Sequence, residues 1–160
     1  MDELRMCAFG EPKPCNKECR FYETCTRNPK KRKEKRMSKL YVDVKLDEGA
    51  KMPTKAHETD AGFDLYTPSG FTVKAGGSAV VETGVHMVIP KGWCGLLVSK
   101  SGLNTRCDIN TTGLVDAEYT GGIVVNVQNH GCDDYTFCAG EKVSQIVILP
   151  VCDVDRKSVV

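Results

Sequence analysis

The strongest constraint on the fold of this chain is a succession of short apolar runs, each interrupted by residues that favour turns. The runs occupy residues 71–73, 80–89, 93–99, 123–128 and 143–150. The breaks between them include Pro68-Ser69-Gly70, Ala75-Gly76-Gly77 and Pro90-Lys91-Gly92. Short strands at this spacing are typical of all-β sandwiches and barrels. Only residues 101–106 suggest a helical turn.

The first 36 residues differ from the rest in composition and charge. They contain 11 Lys and Arg against 6 Asp and Glu, whereas residues 37–160 contain 11 against 15, so the two parts carry net charges of +5 and −4. The first part is rich in Cys, Pro and Asn and has no apolar period on which a core could form. A strand-like alternation begins after Met37, with Leu40, Val42, Val44 and Leu46 on one face. We therefore predict a Cys-rich basic segment over residues 1–36 and a main domain over residues 37–160.

The sequence also limits the compartment of the protein. No apolar run is long enough to span a membrane, and residues 1–5 lack the basic start and apolar stretch of a secretory signal. We therefore expect an intracellular, cytoplasmic protein with no membrane partner. Nine cysteines in a reducing compartment argue against a disulfide framework and favour metal binding or simple burial.

Four of the cysteines lie in the segment that lacks a core, with the spacing C-x7-C-x3-C-x5-C: Cys7, Cys15, Cys19 and Cys25. Four thiolates suit a tetrahedral Zn²⁺ ion, which would stabilise this segment, and four unliganded thiols are the alternative. The other five lie in or beside apolar runs, where we expect them to be buried: Cys94, Cys107, Cys132, Cys138 and Cys152. The basic run from Lys30 to Arg36 is interpreted as a solvated linker, in preference to a nucleic-acid contact.

One segment, Gly113–Gly121, places a carboxylate between two apolar runs. Asp116 follows an apolar rung, Tyr119 comes three residues later, and a turn bounded by glycine leads into the run at 123–128. This pattern predicts a β-hairpin. A hairpin with a carboxylate at its mouth can bind a flat ligand through its backbone and direct a base at it.

This hairpin segment resembles the third of five signature motifs of the trimeric dUTP diphosphatase (dUTPase) family. Three more segments resemble the first, second and fourth motifs, in the same order: Ala61–Tyr66, Lys100–Leu103 and Gly140–Gln145. The resemblance covers about residues 38–151. It implies a jelly-roll-like β-barrel or sandwich that assembles as a homotrimer with shared active sites. It also implies hydrolysis of dUTP to dUMP and pyrophosphate with Mg²⁺, which limits uracil incorporation into DNA and supplies dUMP.

The resemblance implies roles for individual residues. Asp116 would be the catalytic base, for which the alternative is an Asp that caps a turn. Asp64 would orient the waters of a Mg²⁺ ion that the triphosphate itself mainly holds. The implied substrate contacts are Lys100, Ser101, Gly102, Asn110, Gly113, Leu114, Val115, Tyr119, Val124 and Gln145.

These contacts would select both the base and the sugar. A hairpin backbone with the Asn110 amide beside it can pair with uracil and leave the reversed pattern of cytosine unpaired. Tyr119 would pack on the deoxyribose and leave no room for a 2′-hydroxyl. Lys100 stands where the family has Arg and keeps the charge without the planar fork, so we expect phosphate binding with less geometric control. As ordinary structural residues, Asn110 would form a turn and Tyr119 would pack in a strand.

Two further features bear on activity and assembly. The family's Gly-rich fifth motif has no counterpart, since no glycine follows Gly140, so we expect turnover to be reduced more than uracil selectivity. The run Ile146–Leu149 is apolar on both faces, as expected of a strand at a subunit interface.

Two other functions stay open at this point. One is a nucleotide-gated regulatory or nucleic-acid-associated binding protein with weak hydrolysis. The other is the dCTP deaminase class, which shares the fold and which the hairpin segment fits less well than it fits the diphosphatases.

Overall fold

The computed structural model of the protein describes residues 40–152 and 154–155. Within this part of the chain, strands dominate and one short helix, α1 (Ser101–Cys107), lies between the fifth and sixth strands. The strands are β1 (Asp43–Leu46), β2 (Gly62–Tyr66), β3 (Phe71–Val73), β4 (Ser78–Val88), β5 (Trp93–Val98), β6 (Ile109–Val115), β7 (Gly122–Asn129), β8 (Tyr135–Phe137) and β9 (Lys142–Pro150).

Seven of these strands form one antiparallel sheet with the order β1-β4-β7-β6-β5-β9-β2, and β3 pairs with β8. The large sheet curls around an apolar core. Alternation along each strand decides which side chains enter that core: in β7, Ile123, Val125 and Val127 are buried while Val124 and Asn126 between them are exposed. The prediction of an all-β, jelly-roll-like fold is confirmed.

The predicted runs coincide with strands, and the predicted helical turn at 101–106 is α1. Two strands were not predicted from the sequence, β2 and β8, and β6 was predicted only at its end, as the first arm of the hairpin. In β2 the apolar pattern is interrupted by Gly62 and Asp64, and β8 has only three residues, so neither shows an apolar run. The division at residue 36 lies outside the described residues and stays a prediction.

The prediction that five cysteines are buried is wrong for three of them. Cys132, Cys138 and Cys152 are exposed, and Cys94 and Cys107 are half-buried. The three exposed thiols lie just after β7, β8 and β9, where the chain has left the sheet and the strand alternation no longer applies.

A β-bulge in the middle of β4 changes the alignment of β4 with β7. The pairing runs from Ser78–Gln128 to Glu82–Val124, shifts, and resumes at His86–Gly122. Gly84 in the bulge has a φ of +66°, a conformation that favours glycine. The buried hydroxyl of Thr83 donates to the Ile123 carbonyl (2.7 Å) and accepts from the Val85 N–H (3.3 Å). The bulge therefore sets His86 opposite the start of β7, with its polar groups satisfied.

Gly84→Ala should destabilise the fold more than Gly76→Ala does. Both glycines have a φ of +66°, but a Cβ at 84 would lie 2.8 Å from the Cβ of Ala50, whereas a Cβ at 76 would meet nothing within 4 Å. The backbone strain is therefore the same in the two variants. Overpacking against Ala50 should lower the free energy of unfolding of Gly84→Ala by about 1 to 3 kcal/mol more than that of Gly76→Ala. Urea denaturation followed by Trp93 fluorescence at fixed protein concentration measures this difference. Equal losses in the two variants would show that the contact with Ala50 does not restrict position 84.

Candidate active site

The carboxylate of Asp64 is buried although it lies on a strand next to the surface. Asp64 is only 2% exposed, and its backbone pairs with Gln145 of β9 on one side and with Thr54 on the other. The Asp64 N–H donates to the Thr54 carbonyl at 2.7 Å. A buried carboxylate needs compensating charge.

Two lysines from different elements supply that charge. Lys100 Nζ lies 2.5 Å from Asp64 Oδ1, and Lys142 Nζ lies 2.7 Å from Oδ2. Burial alone would raise the pKa of Asp64, but the two ammonium groups outweigh it and hold this pKa below its usual value. The same pairing raises the pKa of Lys142. The second, fourth and first motif segments therefore meet at one carboxylate.

Gln145 lies beside this cluster and is fixed by the backbone that precedes Lys100. Its side-chain amide donates to the Ser99 carbonyl at 3.0 Å. A Cβ on Gly62 would come within 2.9 Å of Gln145 Oε1, so glycine at position 62 makes room for this side chain. Gln145 is thus placed beside the pair formed by Asp64 and Lys100, and its contact with phosphate stays a prediction.

Asn110 belongs to the same end of the sheet. Its Oδ1 accepts from the Ser99 hydroxyl at 3.2 Å and from the side-chain amide of Asn104. With the carbonyl oxygen engaged in this way, the amide N–H groups are the part of Asn110 that can bind a ligand oxygen.

A cationic cleft of about 380 Å³ opens next to the cluster. It is lined by Lys100, Gly102, Leu103, Arg106, Cys107, Tyr135, Glu141 and Lys142. Ser101 is exposed at the start of α1. Sequence reasoning missed Arg106, Tyr135, Glu141 and Lys142. Lys142 lies inside the fourth motif segment and Arg106 is one turn after Lys100–Leu103, so their charge and spacing were the available signals.

The predicted hairpin is present, and its mouth is open. The β6–β7 ladder runs from Ile109–Asn129 to Thr112–Asn126. Beyond that point Gly113–Val115 pairs only with β5, and Gly122 and Val124 pair with β4. In this region of the described chain the facing edges of β6 and β7 are left without a partner strand. The predicted contacts Gly113, Leu114, Val115 and Val124 border this gap.

The loop Asp116–Gly121 closes the hairpin, with an exposed Asp116 at its start. Glu118 has a φ of +61°, and its N–H donates to the Ile89 carbonyl at 2.7 Å. Tyr119 is 47% exposed, and its ring lies against Gly121 so closely that a Cβ at 121 would collide with it. The turn residues of the loop thus fix where the tyrosine ring lies.

The sheet places Asp116 and Lys100 far apart. In the β5–β6 pairing, Gly95 lies opposite Val115 and Val98 lies opposite Thr112. Asp116 therefore lies next to the start of β5, and Lys100 lies six strand positions away, or about 20 Å at the rise of an extended chain. A single chain does not bring these two side chains together.

Comparison with known proteins identifies the family. The family model described as dUTPase matches residues 48–159, which is most of the chain. The chain belongs to the dUTPase family. All four motif segments lie within the matched region, so the predicted resemblance is confirmed.

Named relatives and solved structures agree with this assignment. The deoxyuridine 5′-triphosphate nucleotidohydrolase of Candida albicans is 32% identical over 131 residues, covering 81% of this chain and 82% of the relative. That of Anaplasma marginale is 38% identical over 108 residues, covering 64% and 74%.

Two phage enzymes from Staphylococcus share the fold. A dUTPase variant of S. aureus phage phi11, solved to show how a structural Mg(II) ion is coordinated, has a TM-score of 0.71 at 28% identity and covers 75% of this chain and 97% of its own. The dUTPase of bacteriophage 80alpha, solved with dUpNHpp, has a TM-score of 0.71 at 28% identity and covers 76% and 89%.

The two predicted metal sites lie in different parts of the chain. Among the described residues, no group of three or more His, Cys, Asp or Glu side chains could hold a metal ion. Cys7, Cys15, Cys19 and Cys25 lie outside the described residues, so Zn²⁺ binding stays a prediction. Asp64 fits an indirect role with Mg²⁺, because its buried Oδ2 has a lysine nearby but no well-oriented hydrogen-bond donor. None of the helical structure in the described chain has the length and hydrophobicity that crossing a membrane requires.

Asp64→Asn should lower stability at neutral pH, and the loss should shrink in acid. Because the folded-state pKa of Asp64 is depressed, its contribution is present above the unfolded value of 3.8 and is lost as pH falls through the folded value. We expect a loss of roughly 1 to 3 kcal/mol at pH 7, the range for removing a partner of a buried charged hydrogen bond. Urea denaturation as a function of pH measures it.

Asp134→Asn is the matched control for Asp64→Asn. Asp134 also pairs with a lysine, Lys74, at 2.6 Å, and its pKa is also lowered, first by that hydrogen bond. This pair is exposed, so its removal should change stability little. Equal effects of the two variants would show that burial of Asp64 is not what makes its pairing important.

Proposed function

We propose that this chain hydrolyses dUTP to dUMP and pyrophosphate, with Mg²⁺, at a site shared between copies of the chain in a homotrimer. Membership of the dUTPase family supports the reaction. The observation that supports a shared site is the separation of Asp116 from Lys100 by six positions along the β5–β6 pair. A base and a phosphate-binding cation must both reach one triphosphate, so the two halves come from different copies.

The reaction requires a water molecule in line with the α-phosphorus. As the water oxygen bonds to phosphorus, Asp116 accepts the proton that the water loses, and the bond from phosphorus to the α,β-bridging oxygen breaks. The electron pair of that bond leaves with pyrophosphate. Lys100 and Lys142 face the cleft and can compensate the charge that develops on the phosphate oxygens.

Mg²⁺ would be held mainly by the triphosphate, as this ion usually is, with Asp64 accepting hydrogen bonds from its waters. The ion supplies positive charge to the phosphate oxygens. Asp64 is suited to this because a triphosphate competes for the same two lysines, and a buried carboxylate that loses them needs another source of positive charge.

Selectivity for deoxyuridine follows from the open hairpin. The unpaired edges of β6 and β7 can offer backbone donors and acceptors to the edge of uracil. The Tyr119 ring, held against Gly121, would occupy the space that a ribose 2′-hydroxyl requires. Discrimination against UTP therefore depends on the position of one ring.

Assembly as a homotrimer also has support from β9. On one face of β9, Ser144 and Ile146 are fully buried and Ile148 is half-buried. On the other face, Val147 is half-buried and Leu149 is 38% exposed in a single chain. An apolar outer face on a strand that is not at the sheet edge favours burial against another copy.

We expect the wild-type protein with Mg²⁺ to release pyrophosphate from dUTP in strong preference to dCTP, dTTP and UTP. Asp116→Asn keeps the size of the side chain and removes the proton acceptor, so kcat should fall by at least about a hundredfold while nucleotide binding is retained. Chromatography of the products and calorimetric binding of a non-hydrolysable analogue measure the two effects. Equal hydrolysis of UTP, or full activity of the variant, would refute the assignment.

A shared site should be restored by mixing two inactive variants. Asp116→Asn has an intact Lys100, and Lys100→Ala has an intact Asp116. If the halves come from different copies, random co-assembly in equal amounts leaves about a quarter of the sites with both wild-type residues, and about a quarter of the activity should return. Each variant assembled alone is the control. No recovery in mixed assemblies of proven composition would place both residues in one chain.

A nucleotide-gated regulatory role is the second candidate function. Neighbouring structures of the phage 80alpha dUTPase describe control of virulence-gene transfer by a mechanism like that of a G protein. Tight binding of dUTP by the wild-type protein with negligible hydrolysis would favour this role. For residues 1–36 we retain the proposal of one Zn²⁺ ion bound by four cysteines, supported by the number of thiols and the lack of an apolar period.

A further inference from the structure

His86 lies between the loop that carries Tyr119 and the turn that follows β1. Its Nδ1 is 3.1 Å from the Thr120 carbonyl oxygen, and its Nε2 is 3.1 Å from Asp47 Oδ2. The side chain is 26% exposed, and a Cβ at Gly122 would lie 3.6 Å from its ring. With Tyr119 and Val124 it lines a cavity of about 270 Å³. The histidine therefore connects the substrate hairpin to β4.

Both contacts of His86 are to hydrogen-bond acceptors. A neutral imidazole has one N–H and one lone pair, so it can donate to only one of the two oxygens. The imidazolium has two N–H groups and can donate to both. The ring can thus donate hydrogen bonds to the Thr120 carbonyl and the Asp47 carboxylate at the same time only when it is protonated.

The surrounding charges favour that protonated form. The acids that face the ring are Asp47 and, in the same cavity, Glu82. Lys45 lies opposite His86 in the β1–β4 pairing, and Tyr119 is the other titratable residue that lines the cavity. The Thr120 carbonyl, followed by the Asp47 carboxylate, raises the pKa of His86 above its usual value, against partial burial and the charge of Lys45.

We propose that His86 is a positioning residue whose imidazolium holds the loop Asp116–Gly121 against β4 and so places Tyr119 for substrate binding. This inference rests on the proposed function for the role of Tyr119. The loop has a second anchor that does not titrate, the hydrogen bond from the Glu118 N–H to the Ile89 carbonyl. Loss of the His86 contact therefore loosens the loop on the Tyr119 side and leaves Asp116, next to the buried Val115, in place.

The position of the contact predicts which kinetic constant responds. Thr120 is adjacent to Tyr119 and four residues from Asp116, so deprotonation of His86 should raise KM for dUTP and change kcat little. The pKa of His86 is higher in the folded protein than the ordinary value of 6.5. The two hydrogen bonds from the imidazolium are therefore both present below about pH 6.5, and one of them is lost as pH rises through the folded value.

The test compares pH profiles of KM and kcat for the wild type and His86→Gln between about pH 5.5 and about pH 9. Glutamine can donate to one acceptor but does not titrate. We expect its KM at low pH to exceed that of the wild type by about fivefold, the effect of losing one ordinary hydrogen bond, and the two to converge at high pH. Titration of dUTP itself affects both proteins equally and cancels in the ratio.

Two more variants complete the kinetic test. Asp47→Asn keeps His86 and removes the carboxylate, so it should shift the wild-type KM profile to lower pH. His57→Gln is the matched control, because His57 also pairs with an acid, Asp60 at 3.5 Å, but is 80% exposed and lies outside this cavity. It should reproduce the wild-type profile.

NMR separates failure of this inference from failure of the proposed function. The chain has three histidines, so the His86 ring signals can be assigned by their loss in His86→Gln. We expect a His86 pKa above 6.5 and shifts of the Tyr119 to Gly122 amides with the same midpoint. These signals do not depend on hydrolysis. A pKa at or below 6.5, amides that do not follow it, or parallel KM profiles of wild type and His86→Gln would overturn the proposal.

Discussion

The burial of one carboxylate organises the cationic cleft of this protein. Asp64 lies in β2 between β9 and the chain around Thr54. A buried charge in that position is stable only beside opposite charge. Lys100 comes from the junction of β5 and α1, and Lys142 comes from the start of β9. By pairing with both lysines, Asp64 therefore holds the start of α1 and the start of β9 together at the cleft. A nucleotide that recruits the lysines competes directly with an interaction that stabilises the empty protein.

Much of the fold could be predicted because most strands carry a clear alternation of apolar and polar residues. In β7 that alternation is complete, and the predicted run at 123–128 ends within one residue of the strand at each side. β2 was missed because glycine and a buried acid occupy positions where apolar residues would otherwise mark a strand. The bulge in β4 was hidden for a different reason. Thr83 and Gly84 interrupt the run at 80–89 too briefly to distinguish a bulge from a continuous strand.

The sequence proposed individual residues of the candidate site and missed Arg106, Tyr135, Glu141 and Lys142, and it did not indicate how the site is grouped in space. The motif resemblance identified Asp64, Lys100, Gln145 and Asp116, and nothing in their order along the chain indicates which of them meet. Asp64 and Lys100 are 36 residues apart and in contact. Lys100 and Asp116 are much closer in sequence, yet β6 returns along β5 and carries Asp116 to the opposite end of the pair. Strand register decides both results, and it becomes visible only when the sheet is assembled.

Under the proposed function, the open mouth of the hairpin gives base recognition to the main chain. β5 holds Gly113–Val115 and β4 holds Gly122 and Val124, so neither edge can move to close the ladder without breaking pairing on its other side. The facing edges of β6 and β7 thus have backbone donors and acceptors to which a flat heterocycle can hydrogen-bond. Main-chain donors and acceptors are common to nearly all amino acids, so substitution of a side chain does not remove them. If the chain recognises uracil in this way, its base preference should tolerate point mutations and should change only with an insertion, a deletion or a displaced bulge.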